Sequence, residues 1–217
     1  MNFNRRRFIG ATIAASATAG ASSVLFARST PMPQPLAPAI PAAVKQAERP
    51  PLLQEALGAL DRHGSRLGRR DRIGLVDFSV HSSEHRFHLV DVESGRVTRS
   101  WLVAHGKGSD PGHTGYLQEF SNRYGSNATS RGAYCMANPY YGKYGRSQRL
   151  LGLDPENDAA LERAIVLHGA GYVDESLIDA HGRIGRSYGC FSVKMDEVGQ
   201  VMDMLGEGHM LYAGRTA

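Results

Sequence analysis

Cysteine is scarce in this chain, with only Cys135 and Cys190 among 217 residues. Two thiols cannot staple a small disulfide scaffold, so the fold must rest on a hydrophobic core, and the length suffices for one domain. A metal-ligand pattern is also missing. The nine histidines, His113, His181 and His209 among them, show no HExxH or Cys/His spacing, so no metal site is expected, and no cofactor is implied. Nor is there a dense Lys/Arg stripe. The formal charge of +4 falls to +1 without the first 27 residues, which carry Arg5, Arg6 and Arg7 and no acid. The basic excess therefore belongs to the N-terminus and argues against a nucleic-acid partner. No internal repeat and no second domain are visible.

What the N-terminus does have is an export pattern. MNFNRRRF is a positive leader, and IGATIAASATAGASSVLF is uncharged and rich in Ala, Gly, Ser and Thr. Such residues bury little area, which suits a signal better than a stable membrane span. NRRRFIG resembles a twin-arginine translocation signal, with a general secretory signal or signal anchor as the alternatives. The reading is a signal over residues 1–27, cleaved around Ala21 to Ala27, and a periplasmic body. Seven prolines between positions 31 and 51 make residues 28–51 an extended tether. The catalytic body is expected over 52–217.

That body reads as mainly β, a sandwich or barrel with two or three α-helices. Leu53, Ala56, Leu57 and Leu60 recur at helical spacing before Gly64. RIGLVDFSV, HRFHLVDV and RVTRSWLVAHG read as strands, with ESGR as a hairpin turn. Short turn-rich segments follow through Tyr144. DPENDAALERA predicts a helix capped by Asp154 with Pro155 in its first turn. AIVLHG predicts a buried strand, VKMDEVGQVMDMLGEG a helix and GHMLYAG a last strand.

Three features converge on chemistry. His168 ends an apolar strand, with Gly169 and Gly171 beside it. Cys190 follows 22 positions later, behind GRIGRSYG, and the helix predicted beyond it would favour thiolate through its dipole. A free thiol is mostly protonated at neutral pH, and a neighbouring imidazole is the usual remedy. Gly189 permits a turn aiming the N–H groups of Tyr188, Gly189 and Cys190 at one point, as in an oxyanion hole. The residues leave three fates open for Cys190: nucleophile, disulfide partner of Cys135, or buried filler. His168 is a base or a satisfied core histidine, and His105-Gly106 is a strand end near the cleft.

His168-Gly169 followed by Ser187-Tyr188-Gly189-Cys190 resembles the His-Gly and Ser/Thr-His-Gly-Cys signature of YkuD-type L,D-transpeptidases. LVDFSVHSSEHRFHLVDVESG, VAHGKGS, EFSNRYGS, YYGKYGRSQRLLGLD and AIVLHGAGYV extend the likeness to the murein L,D-transpeptidase catalytic domain over about residues 72–213. The resemblance implies that Cys190 attacks a peptide carbonyl of a peptidoglycan stem and His168 takes the thiol proton. It also implies that the Gly169 carbonyl orients the imidazole, and that an amine of a second stem resolves the thioester into a crosslink. Arg183 and Arg186 would pair with stem carboxylates, since guanidinium holds carboxylate with two bonds. Ser187 would bond the donor or the loop, and Tyr140, Tyr141 and Arg149 would wall the cleft. Two positions depart from the pattern. Tyr188 replaces a histidine, and Phe191-Ser192 replaces an apolar-Asn or apolar-Arg pair. The alternatives are a carboxypeptidase or amidase hydrolase, the latter releasing a wall-anchored protein, and a catalytically silent wall-binding protein.

Overall fold

The computed structural model describes Pro50 and residues 52–216, so the expected export signal and all of the tether but Pro50 lie outside the described residues. Leu53, Ala56, Ala59 and Leu60 form one buried stripe and make Leu53–Arg62 a helix, α1. The segments read as strands become β1 (Arg72–Asp77), β2 (Phe87–Asp91) and β3 (Arg96–Trp101). They are followed by β4 (Gly132–Gly142), β5 (Gly145–Gly152) and β6 (Val166–Gly169). A short helix, α2 (Glu175–His181), leads through the glycine loop to β7 (Phe191–Val193), α3 (Val198–Met204) and β8 (Met210–Gly214). The strands form one mixed sheet in the order β3-β2-β1-β8-β4-β5-β6-β7. Pairing is parallel between β1 and β8 and between β6 and β7.

Alternation along the strands sorts side chains onto two faces. Ile73, Leu75, Ala133, Met210 and Tyr212 meet the α1 stripe. Val76, Tyr134, Met136, Leu167, Phe191, Leu211 and Ala213 point the other way, into a core shared with Val198, Val201, Met202 and Leu205 at α3. Each buried aliphatic or aromatic side chain there contributes about 1.5–3 kcal/mol. The chain beyond β3 then returns to the far edge, where the Ala104 N–H donates to the Ser192 carbonyl of β7 at 2.8 Å. The sheet therefore curls into a barrel-like wall. This is the mainly β fold with three helices expected from the sequence.

Two expectations fail. DPENDAALERA forms only a 3-10 turn at Asp158–Ala160. The Asp154 carboxylate accepts instead from the Ala133 N–H at 2.6 Å and lies 2.7 Å from His63 Nε2, so it is unavailable as a helix cap. Beyond GAYCMA, where Cys135 reads as a strand residue, the turn-rich reading through Tyr144 misses the rest of β4, whose bulge between Met136 and Pro139 lets a proline sit in a long strand.

Candidate active site

Leu167, Phe191 and Val193 face the core, so alternation turns His168 and Ser192 to the opposite face of β6 and β7, and Cys190 stands just before β7, two positions from Ser192. The register sets His168 beside Ser192 on β7 and beside Ser147 on β5. His168 is 2% exposed, and its Nδ1 lies 2.9 Å from the Gly169 carbonyl oxygen. A carbonyl only accepts, so Nδ1 carries the proton and Nε2 presents a lone pair. That lone pair meets Ser192 Oγ at 2.9 Å, and Ser192 Oγ lies 2.8 Å from the Tyr172 hydroxyl. Tyr144, from the β4–β5 turn, stacks on the imidazole at 4.4 Å between centroids, with Lys143 Nζ 4.8 Å from the Tyr144 ring centre. Burial, followed by the nearby Lys143 charge, lowers the His168 pKa against the opposing effect of the Gly169 bond.

The thiol is held elsewhere. Cys190 Sγ donates to the Ala164 carbonyl at 3.6 Å. Burial raises its pKa, opposed by a hydrogen bond from the Val166 N–H and by the charges of Arg163 and Lys143. Both Cys190 and Cys135 are free thiols, so the disulfide alternative falls. The helix-dipole argument falls as well, because β7 follows Cys190 directly and α3 begins only at Val198. A neutral thiol thus stands two positions before the serine whose hydroxyl lies on the nitrogen of a neutral imidazole.

The approach to Cys190 is tightly built. Gly189 has φ +113, and a Cβ there would lie 2.7 Å from the Ala128 carbonyl oxygen and 2.9 Å from Ile165 Cδ1. Its N–H donates to Ser187 Oγ at 3.1 Å, and that hydroxyl donates to the Cys190 carbonyl at 2.6 Å. The Gly189 N–H is thus already engaged, which leaves the Tyr188 and Cys190 N–H groups as the oxyanion candidates. Ser187 is further fixed by backbone bonds to His105 and Lys107. Gly189→Ala is expected to lose most activity and to unfold several degrees lower. A disallowed φ and a backbone clash act together, at about 1–3 kcal/mol for the strain alone. Thermal melting with thiol-reactivity assays checks this, and an unchanged melt would refute it.

The other nominated residues scatter. Arg186 Nη1 donates to the Asp110 and Pro111 carbonyls, tying two loops together rather than standing free for a ligand. Arg183 lines a cleft of about 350 Å³ with His113, Leu177, His181, Ile184 and Gly185, and its buried Nε lacks a partner among the described residues. Tyr188 is exposed, with Lys107 Nζ 3.9 Å from its ring centre. Tyr141 pairs with Arg146, one step off the Ser147–His168 row, so it projects from the other face. Tyr140 and Arg149 lie on the imidazole side and contact each other at 4.6 Å. His105 is not at the cleft surface. It is 1% exposed, between Arg86 and Asp110. Sequence reasoning missed Tyr172 and Arg163, the latter holding the carbonyls of Ser121 and Ala128 beneath the thiol loop, and left Tyr144 in an aromatic cluster at 140–144 that was either cleft wall or strand packing. Among the described residues, no group of three or more His, Cys, Asp or Glu side chains is placed to hold a metal ion.

The profile of the L,D-transpeptidase catalytic domain family, YkuD_2, matches residues 45–213. The match reaches further toward the N-terminus than the motifs beginning at Arg72. No curated protein sequence matches this chain. Among solved structures, it is similar to an L,D-transpeptidase from Mycobacterium smegmatis, with 15% identity and a TM-score of 0.40 over 66% of this chain and 58% of that one. It is also similar to an L,D-transpeptidase (residues 123–326) from Xylanimonas cellulosilytica, with 17% identity and a TM-score of 0.40 over 74% of this chain and 69% of that one. The chain thus spans less than two thirds of the length of the Mycobacterium smegmatis protein.

Proposed function

This chain belongs to the L,D-transpeptidase catalytic domain family, and from that membership we propose that it is a periplasmic cysteine transpeptidase that crosslinks peptidoglycan stems through a thioester. The observation that supports this reading best is the register that sets His168 beside Ser192, two residues after Cys190, with imidazole Nδ1 held 2.9 Å from the Gly169 carbonyl oxygen. The imidazole draws the thiol proton, and sulfur attacks the carbonyl joining an L-centre to a terminal D-residue. The bond to the D-residue breaks, its nitrogen takes the proton from imidazolium, and an acyl-thioester remains. A side-chain amine of a neighbouring stem then attacks the thioester, loses a proton to His168 and restores the thiol. The Tyr188 and Cys190 N–H groups would stabilise the carbonyl oxygen as it becomes negative. Arg183, whose Nη1 donates to the His181 carbonyl at 3.1 Å, would turn the rest of its guanidinium to a stem carboxylate.

Export by the twin-arginine route would place the domain beside its substrate. No helix among the described residues is long and apolar enough to cross a membrane. Incubation of the purified protein with defined muropeptides, followed by mass analysis, tests the activity. Crosslinked dimers are the expected product. Monomers shortened by water alone would replace transfer with hydrolysis, and unchanged substrate would leave a wall-binding protein.

A further inference from the structure

The hydroxyl on the base nitrogen has a defined direction. Because Nδ1–H donates to the Gly169 carbonyl, Nε2 can only accept, and Ser192 must donate its single O–H to it. Tyr172 must then donate to Ser192, since the serine has no second proton. A serine oxygen accepts two bonds, and Tyr172 fills one, so one lone pair remains. Ser192 is fully buried in β7 and follows Cys190 by two residues. A donor pulling on the serine oxygen also makes its own O–H a stronger donor.

We propose that Ser192, held by Tyr172, relays the thiol proton of Cys190 to His168. The thiol turns from the Ala164 carbonyl toward the open lone pair of Ser192. The S–H proton moves to Ser192 Oγ as the serine proton moves to Nε2, leaving thiolate, imidazolium and an intact hydroxyl. Atoms and charge balance without a co-reactant. The site supplies this serine where the family pattern carries Asn or Arg, and Tyr172 from the loop after β6 reaches it. The groups facing the imidazole are Ser147 on β5, Lys143 and Tyr144 at the hairpin tip, Ser192 and Cys190 from the β7 side, and Tyr172. Lys143 is the cation among them.

The inference rests on the proposed cysteine chemistry, so the test follows acylation of the full chain by a carbapenem, by intact mass, against pH and deuterium content. Wild type should acylate with a curved dependence on deuterium fraction, because two protons move together. Ser192→Ala should acylate about 100-fold more slowly, at the low end of general-base effects. Its deuterium dependence should be linear. The acid limb of its profile should move to higher pH, because the lost O–H bond favoured neutral imidazole. Ser192→Thr should recover most of the rate, and Tyr172→Phe should fall in between. Ser192→Ala with wild-type rate and profile would overturn the relay. So would Ser192→Thr as slow as Ser192→Ala at a wild-type melting temperature. Should Ser192→Ala not fold, a Tyr172→Phe curve identical to wild type overturns it. Wild type that never acylates would instead refute the cysteine reading itself.

Discussion

Cys190→Ala should abolish covalent labelling by a carbapenem, while His168→Ala should slow it by about 10²–10⁴. The asymmetry follows from the resting charges. Burial holds the Cys190 thiol above its ordinary pKa, and burial with Lys143 holds His168 below its own, so neither group is ionised at neutral pH. Without sulfur there is no nucleophile. Without imidazole the thiol can still ionise, but only against burial and with the Val166 N–H, Arg163 and Lys143 as its remaining help. Cys135 cannot substitute, because burial raises its thiol pKa too and it lies on the α1 side of the sheet. Intact mass and peptide mapping read the result. An adduct retained by Cys190→Ala, or mapped to Cys135, would dismantle the assignment.

Arg86→Met should destabilise the fold by about 3–5 kcal/mol, the cost of leaving a buried charge network without one partner. Arg86 is fully buried. Its Nε and Nη2 donate to the Val103 carbonyl at 3.1 and 2.9 Å, and its Nη1 donates to the Val80 carbonyl at 2.9 Å. Nη2 also donates to His105 Nδ1 at 2.8 Å, which makes Nε2 the protonated nitrogen facing Asp110 Oδ2 at 3.3 Å. Burial, with Asp110 and Asp77 opposing it, brings the arginine to about 9, so it stays charged at neutral pH. Burial and the Arg86 charge push His105 down to about 3. The unfolded histidine binds its proton near the ordinary 6.5, so between 6.5 and 3 the unfolded state holds more protons. Wild-type stability is therefore full above 6.5 and declines as pH falls toward 3. Denaturant melts at neutral and acidic pH measure both effects, and a loss below 1 kcal/mol at neutral pH would show that the network is not needed.

Much of this was readable in the residues because the signals are local. The α1 stripe, the strands β1, β2, β3, β6 and β8, and the paired His-Gly and Ser-Tyr-Gly-Cys strings each declare themselves within a few positions. β5 and the second half of β4 did not, since Pro139 and the YYGKYG turn dominate their composition while the pairing that makes them strands is long-range. The seven-residue α2 has no buried residue and so leaves no apolar period to detect. At the site, Tyr144 reaches His168 only because the hairpin folds over it, and Tyr172 meets Ser192 across 20 positions. Ser192 stood out as a departure from a pattern, but its partners depend on register, which composition does not encode. Asp154 had the right type and neighbour for a helix cap, and a tertiary partner took it.

The bond from Ala104 to Ser192 also constrains how a peptide can be gripped. A three-residue strand at the end of a sheet would ordinarily offer main-chain groups for an incoming peptide to zip onto by strand addition. Here the Ser192 carbonyl on that border is already claimed by the protein itself, at the residue next to the imidazole. On the proposed function, a stem would then be recognised through its own side groups and termini, by the rings and cations around the opening, which would favour short branched peptides over long extended ones.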